Sequence, residues 1–540
     1  QFWISDFPPT RSGLTGDYPY TSFPWLSVLE GLMKKTVLIS LVVLMSVLGA
    51  ANAAESDHEK LQLVDIFELE YAADPQIYCR WMDTGQTARL SRLQSSPRDV
   101  VWSPDGSQIA FSMLVAAPPG KFVSMPAKPK GAEWAEPPKV IRKLRYRSDG
   151  AGYLKDGYFH VFVLPAEGGT PRQITSGDFN HRGPRWTPDG RSLVFSANRH
   201  EDWEYEPRNS EIYEVDVSSR RIKALTNRKG PDTNPAISPD GQMIAFLGYD
   251  DRYQGYQVTH LYLMSRDGSG KRILAADFDR DVRNLNWGED GGGLFFQYDD
   301  FGNTKIAFAT LDGRVETLAE DIGGMSLGRP YSAGTYSVSE NGTYAFTLSR
   351  PDFPADVAVG RGGTEATRLT RLNDDLLGNK ELATVDEIWF ESSFDGRKIQ
   401  GWVAKPPGFD PAKSYPLILE IHGGPFANYG DRFSAEFQLY AAAGYVVLWV
   451  NPRGSTSYGE EFGNLIHHNY PGQDYDDLMS GVDAVIADGY VAEDQLFVTG
   501  GSGGGVLSSW IVGKTDRFSA AVVAKPVINW YSWSLTADNY

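Results

Sequence analysis

The sequence predicts an all-β array of propeller blades followed by a mostly parallel α/β sheet covered by helices. Three observations predict it. A turn motif returns at a fixed interval, short strands give way to strand–helix alternation near Ala383, and a glycine-flanked serine ends one of the later strands. At 540 residues the chain has room for roughly two to four domains of ~150 residues each. The formal net charge of −18 makes a nucleic-acid binder a poor reading, because that function needs a basic face to displace counterions. With 41% hydrophobic and 13% aromatic residues, the chain can bury a core, which excludes global disorder. The 56 Gly and 32 Pro favour many turns between short strands over a helical bundle. Cys79 is the single cysteine, which excludes an internal disulfide framework, a Cys-based zinc site and an iron–sulfur cluster. A lone cysteine also suits an oxidising compartment, since it has no internal partner to mispair with.

The N-terminal stretch reads as a targeting segment. Residues 1–32 show no helical or strand period and read as upstream sequence outside the native protein. Met33-Lys34-Lys35, the apolar stretch Val37 to Leu48 and Ala51-Asn52-Ala53-Ala54 form a basic region, a short apolar region and a small-residue cleavage site. The expectation is a signal peptide over 33–53 and an exported protein, periplasmic or secreted. The apolar run falls short of the ~20 residues a membrane-spanning helix needs, and nothing after Ala54 is longer.

The repeat array comes next. Trp102-Ser103-Pro104-Asp105-Gly106, Trp186-Thr187-Pro188-Asp189-Gly190 and Ile237-Ser238-Pro239-Asp240-Gly241 share one pattern, with looser copies at Trp287–Gly291 and Val338–Gly342. The turn position moves from 105 to 189, 240, 290 and 341, and the last three steps are 51, 50 and 51. A constant step of this size signals stacked units, each one a propeller blade. Pro presets φ, Asp caps the turn and Gly takes positive φ. An apolar strand follows each turn, as in Gln108–Phe111, Ser192–Phe195 and Met243–Phe246. Further strands follow, such as Glu211–Val215, and a Leu- or Ile-Thr pair ends another, as in Ile174-Thr175 and Leu225-Thr226. The pattern resembles the repeat of TolB and prolyl oligopeptidase-type propellers. The array is expected over 61–382. The start of a blade at Leu61 to Ile77 is not followed by the Pro-Asp-Gly turn, so six to eight blades are possible. The first, longer step holds an insertion from about Leu114 to Gly150, Pro-rich and then basic (Lys139, Arg142, Lys143, Arg145, Arg147). It reads as a solvated excursion, or else as a flap or a contact to a substrate carboxylate.

From 383 to 540 the period changes. Glu387–Phe390 and Lys398–Ala404 read as a hairpin. Strands at Pro416–Ile421, Tyr445–Val450, Leu496–Thr499 and Ala520–Ala524 alternate with helices near Phe433–Ala443 and Tyr475–Asp488, and with a third after Ser502. Near-continuous apolar strands alternating with helices mean a mostly parallel sheet covered on both faces. Gly500-x-Ser502-x-Gly504 lies between strand and helix, the context of a nucleophile elbow, with Ser502 as the nucleophile. A phosphate loop at Gly513-Lys514-Thr515 is rejected, because Ser508 stands where its glycine should be and the triplet lies inside a helix. His422-Gly423-Gly424-Pro425 follows the strand whose loop supplies one oxyanion donor, and the residue after the serine supplies the other. The donors expected are the N–H groups of Gly424 and Gly503, with His422 orienting the loop rather than acting as base.

Taken together the chain resembles the prolyl oligopeptidase family (S9) of serine peptidases, on the acylaminoacyl-peptidase and bacterial dipeptidyl-peptidase branch. His422–Pro425, Asn451-Pro452-Arg453-Gly454-Ser455 with Tyr458-Gly459, and Gly500–Gly505 carry the resemblance. It implies a propeller that filters substrates by size, an α/β-hydrolase domain over 383–540, and hydrolysis of short peptides through an acyl-serine. It implies no metal and no organic cofactor. The triad order of this fold is Ser, then Asp or Glu, then His. None of the eight histidines follows Ser502, and Asp516 and Asp538 come early. The triad acid and histidine are thus expected to be absent from this chain, which reads as C-terminally truncated and inactive, with an exposed sheet edge at Ala520–Ala524 prone to aggregation. His467 and His468 are poor substitutes. Asp202-Trp203-Glu204-Tyr205-Glu206 is similar to the acidic segment of dipeptidyl peptidases, so Glu204 or Glu206 would hold a substrate ammonium; a solvated loop is the plainer reading. A different class of function is an exported, non-catalytic TolB-like propeller that binds protein partners.

Overall fold

The computed structural model describes residues 76–537, apart from 82, 118–125, 127, 134, 136–138 and 325. The upstream segment, the signal-peptide stretch, residues 61–75 of the first blade, and Asp538 lie outside the described residues. The described residues divide into two units, 76–88 with 92–94, and 89–91 with 95–537. In the first, the Gln76 amide clasps the backbone of Leu93, donating to its carbonyl at 3.1 Å and accepting from its N–H at 2.6 Å. A two-stranded sheet pairs Tyr78–Arg80 with Thr87–Arg89.

The second unit holds five four-stranded antiparallel sheets in succession among the described residues, then one six-stranded mixed sheet. The first sheet comprises Pro97–Trp102, Gln108–Ala116, Gly157–Pro165 and Arg172–Gln173. The next begins at His181–Trp186, and the others at Asp232–Ile237, Arg283–Trp287 and Tyr336–Val338. This is the propeller arrangement that the repeat predicts. Each recurring turn joins the first and second strands of its sheet. Gly106, Gly190, Gly241, Gly291 and Gly342 take φ of 67–75° there, which a side chain would resist. The residue before the turn locks it: Ser103 Oγ donates to Asp105 at 2.6 Å and Ser238 Oγ to Asp240 at 2.6 Å. The Thr of the Ile/Leu-Thr pair closes the outer side, accepting the N–H of Val161 at Thr175 (2.9 Å) and of Ile212 at Thr226 (2.8 Å).

Strand alternation explains why the sheets stack. Side chains of a strand point alternately to its two faces. Leu193 and Phe195 pack with Ala110, Val161 and Val163 of the preceding sheet, while Val194 between them packs with Ile244 and Phe246 of the following one. The same alternation sends Ala245 and Leu247 to Leu294 and Phe296, and Phe295 to Tyr344 and Phe346. Both faces of these sheets are therefore apolar, and full burial of each such side chain contributes about 1.5–3 kcal/mol. First strands of successive sheets neighbour one another, from Pro97–Trp102 through Arg283–Trp287. Each of these four carries a register shift, with Asp99, Gly183, Asn234 and Asn284 at φ of 50–61°. The basic insertion lies between the second and third strands of the first sheet and includes a short hairpin, Arg147–Ser148 with Gly152–Tyr153.

In the mixed sheet the strand order is Thr384–Glu391, Lys398–Lys405, Val446–Asn451, Tyr415–Ile421, Val491–Gly501, Ala520–Ala524. The first three strands pair antiparallel and the rest parallel, so the expected hairpin leads into the parallel core. Helices Ala435–Ala442, Asp474–Ala487 and Gly503–Lys514 fall where the apolar pattern puts them. Leu417, Leu419, Ile421, Leu448, Val450, Val498 and the helix residues Leu478, Val482 and Leu507 form one buried core. Among the described residues Ala520–Ala524 is the terminal strand of this sheet, with Val522 65% exposed. No helix among them is long and apolar enough to cross a membrane.

Candidate active site

Ser502 stands between the strand Val491–Gly501 and the helix Gly503–Lys514, at φ 57° and ψ −116°. That backbone conformation costs an L-residue roughly 1–3 kcal/mol and is typical of functional sites. Its surroundings hold it there. Ser502 N–H donates to Ala524 O at 2.9 Å, and Val506 N–H donates to Ser502 O at 3.0 Å. The helix begins so close to the neighbouring strand that a Cβ at Gly504 would lie 2.0 Å from Ile421 O and one at Gly500 2.6 Å from the Gly504 carbonyl. The glycines are therefore required by close backbone approach, and Ser502 itself is left exposed.

The loop after Ile421 runs alongside. A Cβ at Gly503 would lie 3.0 Å from Gly424 N, and one at Gly423 would lie 3.4 Å from Ser502 Cβ. The loop and the helix N-terminus thus meet beside the serine, where backbone donors and the helix dipole favour negative charge. Gly423 N–H is already engaged, donating to Tyr331 Oη at 2.7 Å. Tyr470 Oη donates to Gly503 O at 2.9 Å and braces the other wall. His422 is buried, with Nδ1 2.7 Å from Gly423 O and Nε2 2.9 Å from Ser455 Oγ, and burial lowers its pKa to about 4. Its ring ties the His-Gly-Gly-Pro loop to the Asn-Pro-Arg-Gly-Ser loop. Arg453 anchors that second loop by donating its backbone N–H, Nε and Nη2 to the buried Asp477 carboxylate at 2.8, 2.9 and 2.8 Å.

Two contributors come from the segment before the last propeller sheet and carry no motif in the sequence. Tyr331 supplies the acceptor just described. Arg329 donates to Glu436 at 2.9 and 3.2 Å and lies 3.3 Å from the buried Glu420 carboxylate, with Nη1 3.1 Å from where a Cβ on Gly501 would stand. Burial pushes the Glu420 carboxyl up to about 8, against the opposing pull of Arg329. These contacts join propeller and hydrolase beside the elbow, and the buried Arg432 guanidinium joins them elsewhere by donating to Thr304 Oγ1 at 2.5 Å.

Among the described residues no histidine ring or carboxylate hydrogen-bonds Ser502. His467 Nδ1 instead accepts the N–H of Gly255 at 3.2 Å, and the His468 ring lies tilted against it, 3.9 Å between centroids. Glu204 and Glu206 do not lie together in one site. Glu204 lines a cavity among the first three propeller sheets, whereas Glu206 accepts from Tyr253 Oη at 2.6 Å and faces Lys229 Nζ at 3.7 Å. The described residues hold no cluster of metal-ligating side chains.

The comparisons with known proteins agree with this architecture. The prolyl oligopeptidase family model matches residues 431–540, and that of the dipeptidyl peptidase IV N-terminal region matches residues 131–254. The uncharacterized peptidase YuxL of Bacillus subtilis is 30% identical over 86% of this chain and 71% of its own length. Dipeptidyl-peptidase 5 of Porphyromonas gingivalis is 28% identical over 63% of this chain, and its counterpart in Schizosaccharomyces pombe 27% over 59%. The chain spans 49% and 46% of these two relatives, about half of each. In fold, the Pyrococcus horikoshii acylaminoacyl peptidase superposes with a TM-score of 0.70 at 19% identity, over 86% of this chain and 69% of that one. With two matching family models and a relative 30% identical over most of both chains, the chain belongs to the prolyl oligopeptidase family of serine peptidases.

Proposed function

We propose that this chain is part of an exported serine peptidase that releases dipeptides or acylated residues from short peptides through an acyl-serine at Ser502. The observation that carries the reading is the exposed Ser502, held at positive φ at the head of a helix beside Gly424 and Gly503. In this mechanism Ser502 Oγ attacks the scissile carbonyl as its proton passes to a histidine base. The N–H groups of Gly424 and Gly503 take up the charge that develops on the carbonyl oxygen. The amine leaves with a proton, and water then releases the acyl group. A lost oxyanion donor costs ~10²–10³ in kcat. The hydrolase domain over 383–540 carries these groups and the propeller over 61–382 limits access to them. Export rests on the Met33–Ala54 pattern alone.

The choice between dipeptidyl and acylaminoacyl release turns on what holds the substrate's N-terminus. Glu204 and Glu206 are the candidates for an ammonium anchor: Glu204 lines a cavity, and Glu206 sits against Tyr253 and Lys229. A second reading, a propeller that binds partners without turnover, draws on the lack of a histidine or carboxylate against Ser502 among the described residues.

The test begins by reading the coding sequence past the codon for Tyr540. An open frame that supplies an Asp and then a His, each after a strand, is the expected result. The gene's full product then hydrolyses dipeptidyl or N-acetyl-aminoacyl arylamides, and Ser502→Ala abolishes the activity. A stop at once, or hydrolysis that survives Ser502→Ala, overturns the proposal.

A further inference from the structure

The cavity that Glu204 borders is built where the first strands of three propeller sheets shift register, and its volume is ≈ 470 Å³. Arg98 and Arg182 precede the left-handed residues Asp99 and Gly183 at equivalent places in the repeat, and both guanidiniums stack on the Phe159 ring, at 4.9 and 5.1 Å from its centroid. Arg145, from the basic insertion, completes a set of three arginines on the wall.

Much of the remaining polar lining is engaged by neighbouring groups, and Glu204 adds a carboxylate to the wall. Asp99 accepts from Ser112 Oγ at 2.7 Å and from Gly183 N–H at 3.1 Å. Ser196 and Ser210 donate to Asp232 O, and Thr233 donates to Leu247 O. The three guanidiniums are the exception. Among the described residues none of them has a carboxylate within ion-pair distance, and all three are exposed to the cavity. Burial lowers the pKa of Arg182, and the positive charges of Arg98 and Arg145 add to that effect while Asp99 opposes it. Like charges gathered in a hollow with their donors unused favour an anion, and a planar guanidinium matches a carboxylate with two parallel hydrogen bonds.

We infer that this cavity binds a peptide carboxylate, with Arg98, Arg145 and Arg182 as its donors. The inference rests on the reading that the chain handles peptides, and it adds a second point of recognition away from Ser502. Trp203 and the Phe159 ring supply apolar walls for the neighbouring residue, and the cavity has space for a few residues of extended chain. The carboxylate comes either from a C-terminus or from an acidic side chain.

The test is calorimetric titration of the full chain carrying Ser502→Ala, so that turnover does not enter. The probes are Ala-Ala-Phe as the free acid, the same tripeptide as its C-terminal amide, and Ala-Asp-Phe amide. The free acid is expected to bind at least tenfold more tightly than its amide, and R98Q/R182Q is expected to erase the difference. R145Q alone, in the insertion, reduces it. Tightening by the Asp-containing amide assigns the site to any peptide carboxylate; its absence assigns the site to the C-terminus. Equal affinity for acid and amide overturns the inference, as does a preference that survives in R98Q/R182Q. Because binding is read without hydrolysis, failure here leaves the acyl-serine proposal standing, and failure of that proposal leaves this measurement intact.

Discussion

Replacing Gly504 by alanine tests the packing that shapes the elbow. The new Cβ would lie 2.0 Å from Ile421 O, 2.8 Å from Ile421 C and 2.9 Å from His422 O. All three atoms are backbone, so no side chain can swing away. Restoring an ordinary C···O contact of ~3.3 Å requires the helix and the strand to separate by roughly 1.3 Å. Overpacking of this kind costs about 1–3 kcal/mol, and more where the backbone cannot yield. The same helix supplies its own control. Gly513 has nothing within 4 Å of its Cβ position, so Gly513→Ala adds no clash and gains helix propensity, up to about 1 kcal/mol. The assay is chemical unfolding of the two variants and the parent, followed by Trp fluorescence. G504A should unfold at clearly lower denaturant, and G513A at equal or slightly higher denaturant. Under the proposed acyl-serine mechanism, a shift of ~1 Å between Ser502 and the Gly424 loop should lower kcat by ~10²-fold. A G504A protein with parental stability would refute the close approach on which the elbow argument depends.

Other consequences follow from the same contacts. Asp477→Ala leaves the Arg453 guanidinium, 3% exposed, with only Asp395 and Ser392 to pair with, and should destabilise the hydrolase domain by about 3–5 kcal/mol in urea unfolding. Tyr331→Phe removes the acceptor of Gly423 N–H, a loss of about 1–3 kcal/mol that hydrogen exchange at that amide would register as faster exchange. Burial raises the Asp474 carboxyl from 3.8 to about 7, although the N–H groups of Gly472 and Tyr475 favour its charge. The folded state therefore holds the proton that the unfolded chain releases, and stability falls as pH rises through that window. Asp474→Asn should flatten this slope, match the parent below pH ~4 and exceed it above pH ~7 by at most about 4 kcal/mol; an unchanged slope would exclude Asp474 as its source.

Much of the fold is legible because its local chemistry repeats. The Pro-Asp-Gly turns, their capping Ser or Thr and the Ile/Leu-Thr closures are short-range devices, and each appears in the structure as the spacing implies. The elbow is legible for the same reason, since Gly500, Ser502 and Gly504 constrain one another within a single turn. Arg329 and Tyr331 were not legible. Nothing in the Gly328-Arg329-Pro330-Tyr331 segment marks it as reaching Glu436 or Gly423, which lie about a hundred residues further on. The acidic Asp202–Glu206 segment shows the converse. Its resemblance to the acidic segment of dipeptidyl peptidases made either glutamate a candidate anchor, and the structure sets Glu204 on a cavity wall and Glu206 against Tyr253 and Lys229.

The sequence by itself determined the two-part architecture, the glycine-flanked Ser502 turn and the loop beside it, because periodicity and tight turns are written in residues close together along the chain. The tertiary structure decided which side chains surround them. It buried His422 between two loops, set Arg453 on Asp477, brought Tyr331 from the propeller onto the Gly423 amide, and gathered Arg98, Arg145 and Arg182 around one cavity. Those contacts depend on how separate sheets stack and on where the register of their first strands shifts, which no local pattern specifies.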